Sequence, residues 1–135
     1  MALGLSEIQR GAVAILDGDQ LVSDPEVLTD NLGPIGARPF VCLQVENGIS
    51  TWYLLTTQSS PKRLLLDGWK LPGSPVWMRE SQYLNDARKP FTGPVNSFVS
   101  AGILEIPHQP HCRPAISEAG LAAIEGENLK YRGRG

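Results

Sequence analysis

The chain has few cysteines, no long apolar run and no excess of charge of either sign. Cys42 and Cys112 are its only cysteines, too few for a disulfide framework in 135 residues. Cys42 lies in an apolar run and reads as a small buried hydrophobe. No apolar stretch is long enough to cross a bilayer. The start, Met1 to Glu7, lacks a basic segment followed by an apolar one, so no signal peptide is expected and a cytoplasmic setting is the default. A net charge of −2 does not give the basic footprint usual in nucleic-acid binders, although a local patch can act alone. There is no glycine-rich phosphate loop and no nucleophile elbow. His108, His111 and Cys112 are near neighbours, but their spacing fits no closed zinc pattern, and their proline-rich context reads as loop. Asp17 and Asp19 read as a solvated turn rather than a catalytic carboxylate pair. No metal and no cofactor is expected.

What is present is a globular composition, 41% hydrophobic and 19% charged, with 14 Gly and 11 Pro. So many breakers in one domain-sized chain favour short strands and turns over long helices. Gly11–Asp17 reads as a first strand. Asp24-Pro25 has the form of a helix cap followed by proline at the first helical position, predicting a helix over 24–32 with loop at 33–36. Residues 39–46 and 49–57 flank Asn47-Gly48, a strong hairpin signal, with both turn residues expected at positive φ. Val41, Leu43 and Val45 should share one face, and Leu54 should oppose Tyr53 and Leu55. Leu64–Leu66, Val76–Met78 and Gly102–Ile106 read as further strands. Ser117 caps a last helix, stapled by Ile116 and Leu121 and closed by Gly126, and residues 126–135 read as a mobile basic tail. The fold class is mainly β with a C-terminal helix: a single domain over 1–135, built on a small SH3-like, strongly bent antiparallel sheet or partly open barrel.

Chemistry concentrates on the hairpin, where Arg38 opens one strand and Thr56-Thr57-Gln58 closes the next. A guanidinium holds a phosphate or carboxylate in two-point geometry, and a neighbouring hydroxyl can bond the same group. Arg38 reads equally as an exposed strand-edge residue, and Thr56 as an ordinary β-former. In a regular two-residue hairpin Thr56 pairs with Pro39, and Arg38 with Thr57; a bulge would bring Thr56 to Arg38 instead. Lys62-Arg63, Arg79 and Arg88-Lys89 could line a positive groove, with Tyr83, beside Gln82 and Asn85, as its stacking aromatic. The three tryptophans read as core or as a dimer contact.

The order of these elements resembles the MazF/PemK-like toxins, metal-independent endoribonucleases of toxin–antitoxin pairs. The carriers are Gly11–Asp17 as opening strand, Arg38-Pro39, Thr56-Thr57-Gln58, Ser81-Gln82 and the helix from Pro114 to Ile124. The resemblance implies cleavage of single-stranded RNA. Arg38 would hold the scissile phosphate and act as acid, Thr56 would bond a phosphate oxygen, and Asp86 or Arg88 would supply the remaining role. Thr57, Gln58, Lys62, Gln82 and Tyr83 would bind RNA. It further implies a homodimer and a small acidic antitoxin as partner. Leu84 stands where the family carries an arginine. That departure, with the 18–37 insertion, leaves a second reading: a catalytically inactive barrel that binds nucleic acid or a protein.

Overall fold

The computed structural model describes residues 3–61, 63–72, 75–103 and 114–132. Its centre is the predicted hairpin: β2 (Ala37–Glu46) and β3 (Ile49–Thr56), joined by Asn47 at φ 53° and Gly48 at φ 77°. β1 (Val13–Asp17) pairs antiparallel with β2. The other edge of β3 is shared by β5 (Tyr83–Leu84) and β6 (Phe91–Pro94). A separate two-stranded ladder joins β4 (Lys70–Leu71) to β7 (Ala115–Ile116). The result is a bent antiparallel sheet, not closed into a barrel, with a C-terminal helix. Among the described residues no helix is long and apolar enough to cross a membrane.

Both faces of the sheet are buried, which explains strands apolar on successive residues. Ala14, Leu16, Phe40, Cys42 and Trp52 face one core, closed by Leu21 of α1 (Gly18–Ser23) and Phe98 of α3 (Val95–Ala101). Val13, Val41, Leu43, Tyr53 and Leu55 face the other, closed by Leu121 and Ile124 of α4 (Glu118–Arg132) and by Trp77 of α2 (Pro75–Arg79). The predicted opposition of Leu54 to Tyr53 and Leu55 is seen, since Leu54 packs on the first core. Val45 departs from it. It lies beyond a bulge and is 39% exposed, in neither core.

Several local expectations are corrected. There is no helix over 24–32. The helix starts earlier, where the Asp17 carboxylate accepts from the N–H groups of Asp19 and Gln20, and Asp24 is its C-terminal boundary. Asp24 instead accepts from the Glu26 N–H, making a turn that Pro25 suits. Residues 76–78 belong to a helical turn rather than a strand. The region from Val95 begins as helix, and the expected strand at 102–106 contributes only single bridging contacts at Gly102 and Ile103 before leaving the described residues. Leu64–Leu66 makes an isolated bridge, Leu65 to Tyr83. The Ser117 cap holds, but α4 runs past Gly126 to Arg132, because Asn128 is anchored by its Nδ2 to the Ala87 carbonyl at 2.8 Å. Such a bond, worth about 1 kcal/mol net, offsets a glycine's helix cost of about the same size. The His108–Cys112 stretch lies outside the described residues.

One buried cation ties α2 to the body. The Lys70 side chain is 3% exposed; its Nζ donates to Trp77 O at 2.6 Å and to Glu80 O, and sits 3.2 Å from Asp67. The ring of Trp77 lies beside the ammonium, and its Nε1 donates to Leu71 O at 2.9 Å. Lys70→Ala is expected to cost about 3 kcal/mol, because it removes the shared donor of two carbonyls and the cation paired with Asp67, along with the packed lysine stem. Urea unfolding checks this; a loss under about 1 kcal/mol would remove Lys70 from that role.

Burial pushes the Cys42 thiol up to about 12, against the smaller opposing effect of the Gln44 backbone. Cys42 is therefore expected to resist alkylation at pH 8 in the native protein and to react at the unfolding rate, as peptide mapping would read.

Candidate functional site: an arginine pocket at the end of the hairpin

The bulge decides the geometry. Glu46 faces Ile49 and Gln44 faces Thr51, but beyond Leu43 the register slips, so Cys42 faces Trp52 and Phe40 faces Leu54. Carried two residues further, that register sets Arg38 opposite Thr56, not Thr57, on the same side of the sheet as Leu54. The bulge is stabilised because the Leu43 carbonyl accepts from Arg10 Nη1 at 2.7 Å. Arg10 is itself held by Glu118 at 3.1 Å and Glu125 at 2.8 Å, so α4 braces the hairpin.

Arg38 and Thr56 line one solvent-open pocket of about 230 Å³. Asn31, Leu32, Pro34 and Ile35 form one wall, Leu54 to Thr56 the floor, and Gln58, Arg63 and Asn85 the other wall. Arg38 Nε donates to Ile35 O at 3.3 Å. Arg63 is held three ways: Nε to Asn85 O at 3.2 Å, Nη1 to Gln58 O at 2.9 Å and Nη2 to Asn85 Oδ1 at 3.1 Å. All these acceptors are neutral. Among the described residues no carboxylate and no imidazole lines the pocket, and neither arginine has an ion-pair partner. Two oriented, uncompensated guanidiniums in one concavity make a positive site despite the chain's net charge of −2.

Thr56 is 8% exposed and its hydroxyl accepts the Gln58 N–H at 3.2 Å, which leaves the hydroxyl proton to donate. Gln58 is exposed on the rim. Asn31 Nδ2 is committed to Thr29 Oγ1 at 2.9 Å and Lys89 O at 2.7 Å, fixing the loop wall.

The other sequence candidates do not converge here. Asp86 and Arg88 bond each other bidentately, both contacts at 3.0 Å, and neither lines the pocket. Burial pushes the Asp86 carboxyl up, but the bonds from Arg88 together hold it below its ordinary range, so it is a paired carboxylate. Thr57 is exposed and outside the pocket lining. Gln82 is 5% exposed, with its backbone N–H donated to Asp67 and its carbonyl accepting from Leu66. Tyr83 is half-buried, pairs in the ladder with Thr56 and Leu65, and does not line the pocket. Lys62 lies outside the described residues. Asp17 and Asp19 are not a solvated turn: the first caps α1 and the second bonds the loop wall. Among the described residues no cluster of three or more His, Cys, Asp or Glu side chains could hold a metal ion.

Sequence reasoning placed Arg63 in a general groove, named Asn85 only as a neighbour of Tyr83, and missed Asn31 and the 31–35 wall. No local signal marks them, because only the folded sheet brings these segments to Arg38. Comparison with known families, curated proteins and solved structures gives no match, so the resemblance to MazF/PemK-like toxins rests on the motifs alone.

Proposed function

We propose that the protein is a nucleic-acid-binding module that holds a backbone phosphate of single-stranded RNA between Arg38 and Arg63 without cleaving it. The observation that carries this reading is the pair of guanidiniums oriented by neutral oxygens in an open pocket. Such cations recognise phosphate in two-point geometry. The Asn85 and Gln58 amides and the exposed Leu32 beside them suit an adjoining sugar and base. Cleavage would need a base to take the ribose 2′-hydroxyl proton and an acid for the leaving oxygen. The pocket's described lining supplies two guanidiniums, amides and the Thr56 hydroxyl, with no carboxylate or imidazole to serve as the base.

A second reading, the metal-independent endoribonuclease of a toxin–antitoxin pair, is favoured by the bulge that brings Arg38 to Thr56. Under it the protein is a homodimer, and a small acidic antitoxin fills the groove. One experiment separates the two. The protein is incubated with long single-stranded RNA in the presence of chelator, and binding and strand length are read together. Retention of intact RNA that Arg38→Ala weakens supports the module. Cleavage that Arg38→Ala abolishes supports the nuclease, and neither binding nor cleavage defeats both.

A further inference from the structure

The Arg38 guanidinium is otherwise exposed, so its aim depends on the one acceptor that holds it. That acceptor is the Ile35 carbonyl, at 3.3 Å from Nε. Ile35 is in turn fixed from its other side. The Asp19 carboxylate accepts the Ile35 N–H on Oδ1 at 2.7 Å and the Gly36 N–H on Oδ2 at 3.1 Å. Asp19 is presented by the first turn of α1, which the Asp17 carboxylate caps. Two glycines permit the close approach. A Cβ on Gly18 would lie 2.3 Å from Ile35 Cγ2, and one on Gly33 would lie 2.9 Å from Asp19 Oδ1. No ion pair joins Asp19 to Arg38, so its action runs through the Ile35 peptide rather than by neutralising the guanidinium.

We propose that Asp19 is the positioning residue of the phosphate site: by clamping the 35–36 peptide segment it fixes the carbonyl that turns the Nη edge of Arg38 into the pocket. This rests on the reading of that pocket as a phosphate site. With Nε occupied by Ile35 O, the two Nη groups are left to meet two oxygens of one anion. A docking contact that a sequence presents as one more turn aspartate thereby sets the affinity of a residue nineteen positions away.

The test is a double-mutant cycle with a fluorescein-labelled oligouridylate, read by anisotropy at fixed salt. Asp19→Ala should weaken binding about five- to tenfold, the scale of one charged hydrogen bond made imperfect. Asp19→Asn, which keeps one acceptor oxygen, should fall between. In an Arg38→Ala background Asp19→Ala should change nothing further. Equal loss in both backgrounds, or tighter binding by both Asp19 variants, overturns the proposal; the first signals a general structural role and the second a mere charge effect. Arg38→Ala without effect on affinity would mean that the phosphate reading has failed. The positioning claim then stands or falls on a ligand-free readout. The Arg38 Nε–H resonance should shift in the folded Asp19→Asn protein while that of Arg63 stays in place, and an unmoved Arg38 resonance overturns it.

Discussion

The Trp52→Ala protein is expected to lose about 3–5 kcal/mol of stability, a large fraction of the roughly 5–15 kcal/mol that such a domain has. Trp52 is fully buried at the middle of β3 and stacks on Phe98 of α3, with centroids 5.4 Å apart and planes 19° apart. Its Nε1 donates to Ser50 Oγ at 2.9 Å. Removing the indole opens a large void between sheet and helix and leaves a fully buried hydroxyl without its donor. The neighbouring edge-on pair Phe40 and Phe91, 5.1 Å between centroids, would lose the surface it packs beside. Trp52→Phe keeps an aromatic stack and should cost clearly less. Urea midpoints followed by circular dichroism give both values. A loss below about 1 kcal/mol for the alanine variant would contradict the placement of Trp52 at the core's centre, since surface substitutions fall in that range.

Arg38→Glu is expected to weaken single-stranded RNA binding about a hundredfold while leaving stability within about 0.5 kcal/mol of the parent. The side chain is exposed and makes one hydrogen bond, so the fold has little to lose. The pocket loses one of two cations and gains an anion facing the phosphate, so a lost charged contact and a new repulsion add. The salt dependence should fall as well, by about 0.7 in the slope of log affinity against log salt, the loss of one phosphate contact on a single strand. Arg88→Glu is the control. Arg88 spends its guanidinium on Asp86, so affinity should change little. Equal effects at both positions would reduce the pocket to general electrostatics.

The hairpin was legible because its signals are local. Asn47-Gly48 specifies the turn, and the runs on either side are apolar on successive residues because both faces are buried. The bulge was legible only as an alternative, since what stabilises it is Arg10, far away in the chain. α1 was missed because Asp24-Pro25 imitates a cap, while the true cap, Asp17, precedes a glycine and a six-residue helix with little propensity of its own. Tertiary docking carries that helix, through Leu21 in the core and Asp19 on the loop wall. α3 was not read as a helix, the strand being expected just after it at 102–106, although Val95, Phe98 and Val99 keep a helical spacing toward the core. β6 contains Gly93-Pro94 and looks like a turn. It is a strand because it pairs with β3, and Gly93 is needed there because a Cβ would meet the Glu26 carbonyl at 3.0 Å and Val27 Cα at 3.2 Å. Of the site, Arg38, Thr56 and Gln58 were visible because they sit at the hairpin's open end. Arg63 was legible only as part of a general groove and Asn85 only as a neighbour of Tyr83, because their mutual bond is a product of the fold.

The central claim, that Arg38 and Arg63 together hold a phosphate, is tested most directly by watching the arginines themselves. Protein labelled with 15N at arginine is titrated with a short single-stranded RNA, and the Nε–H resonances are followed. The account predicts that Arg38 and Arg63 shift together and saturate at one midpoint, while Arg10 and Arg88, held by Glu118, Glu125 and Asp86, stay where they are. Movement of Arg10 or Arg88 with Arg38 and Arg63 unmoved, or no saturable movement of either pocket arginine, would contradict it.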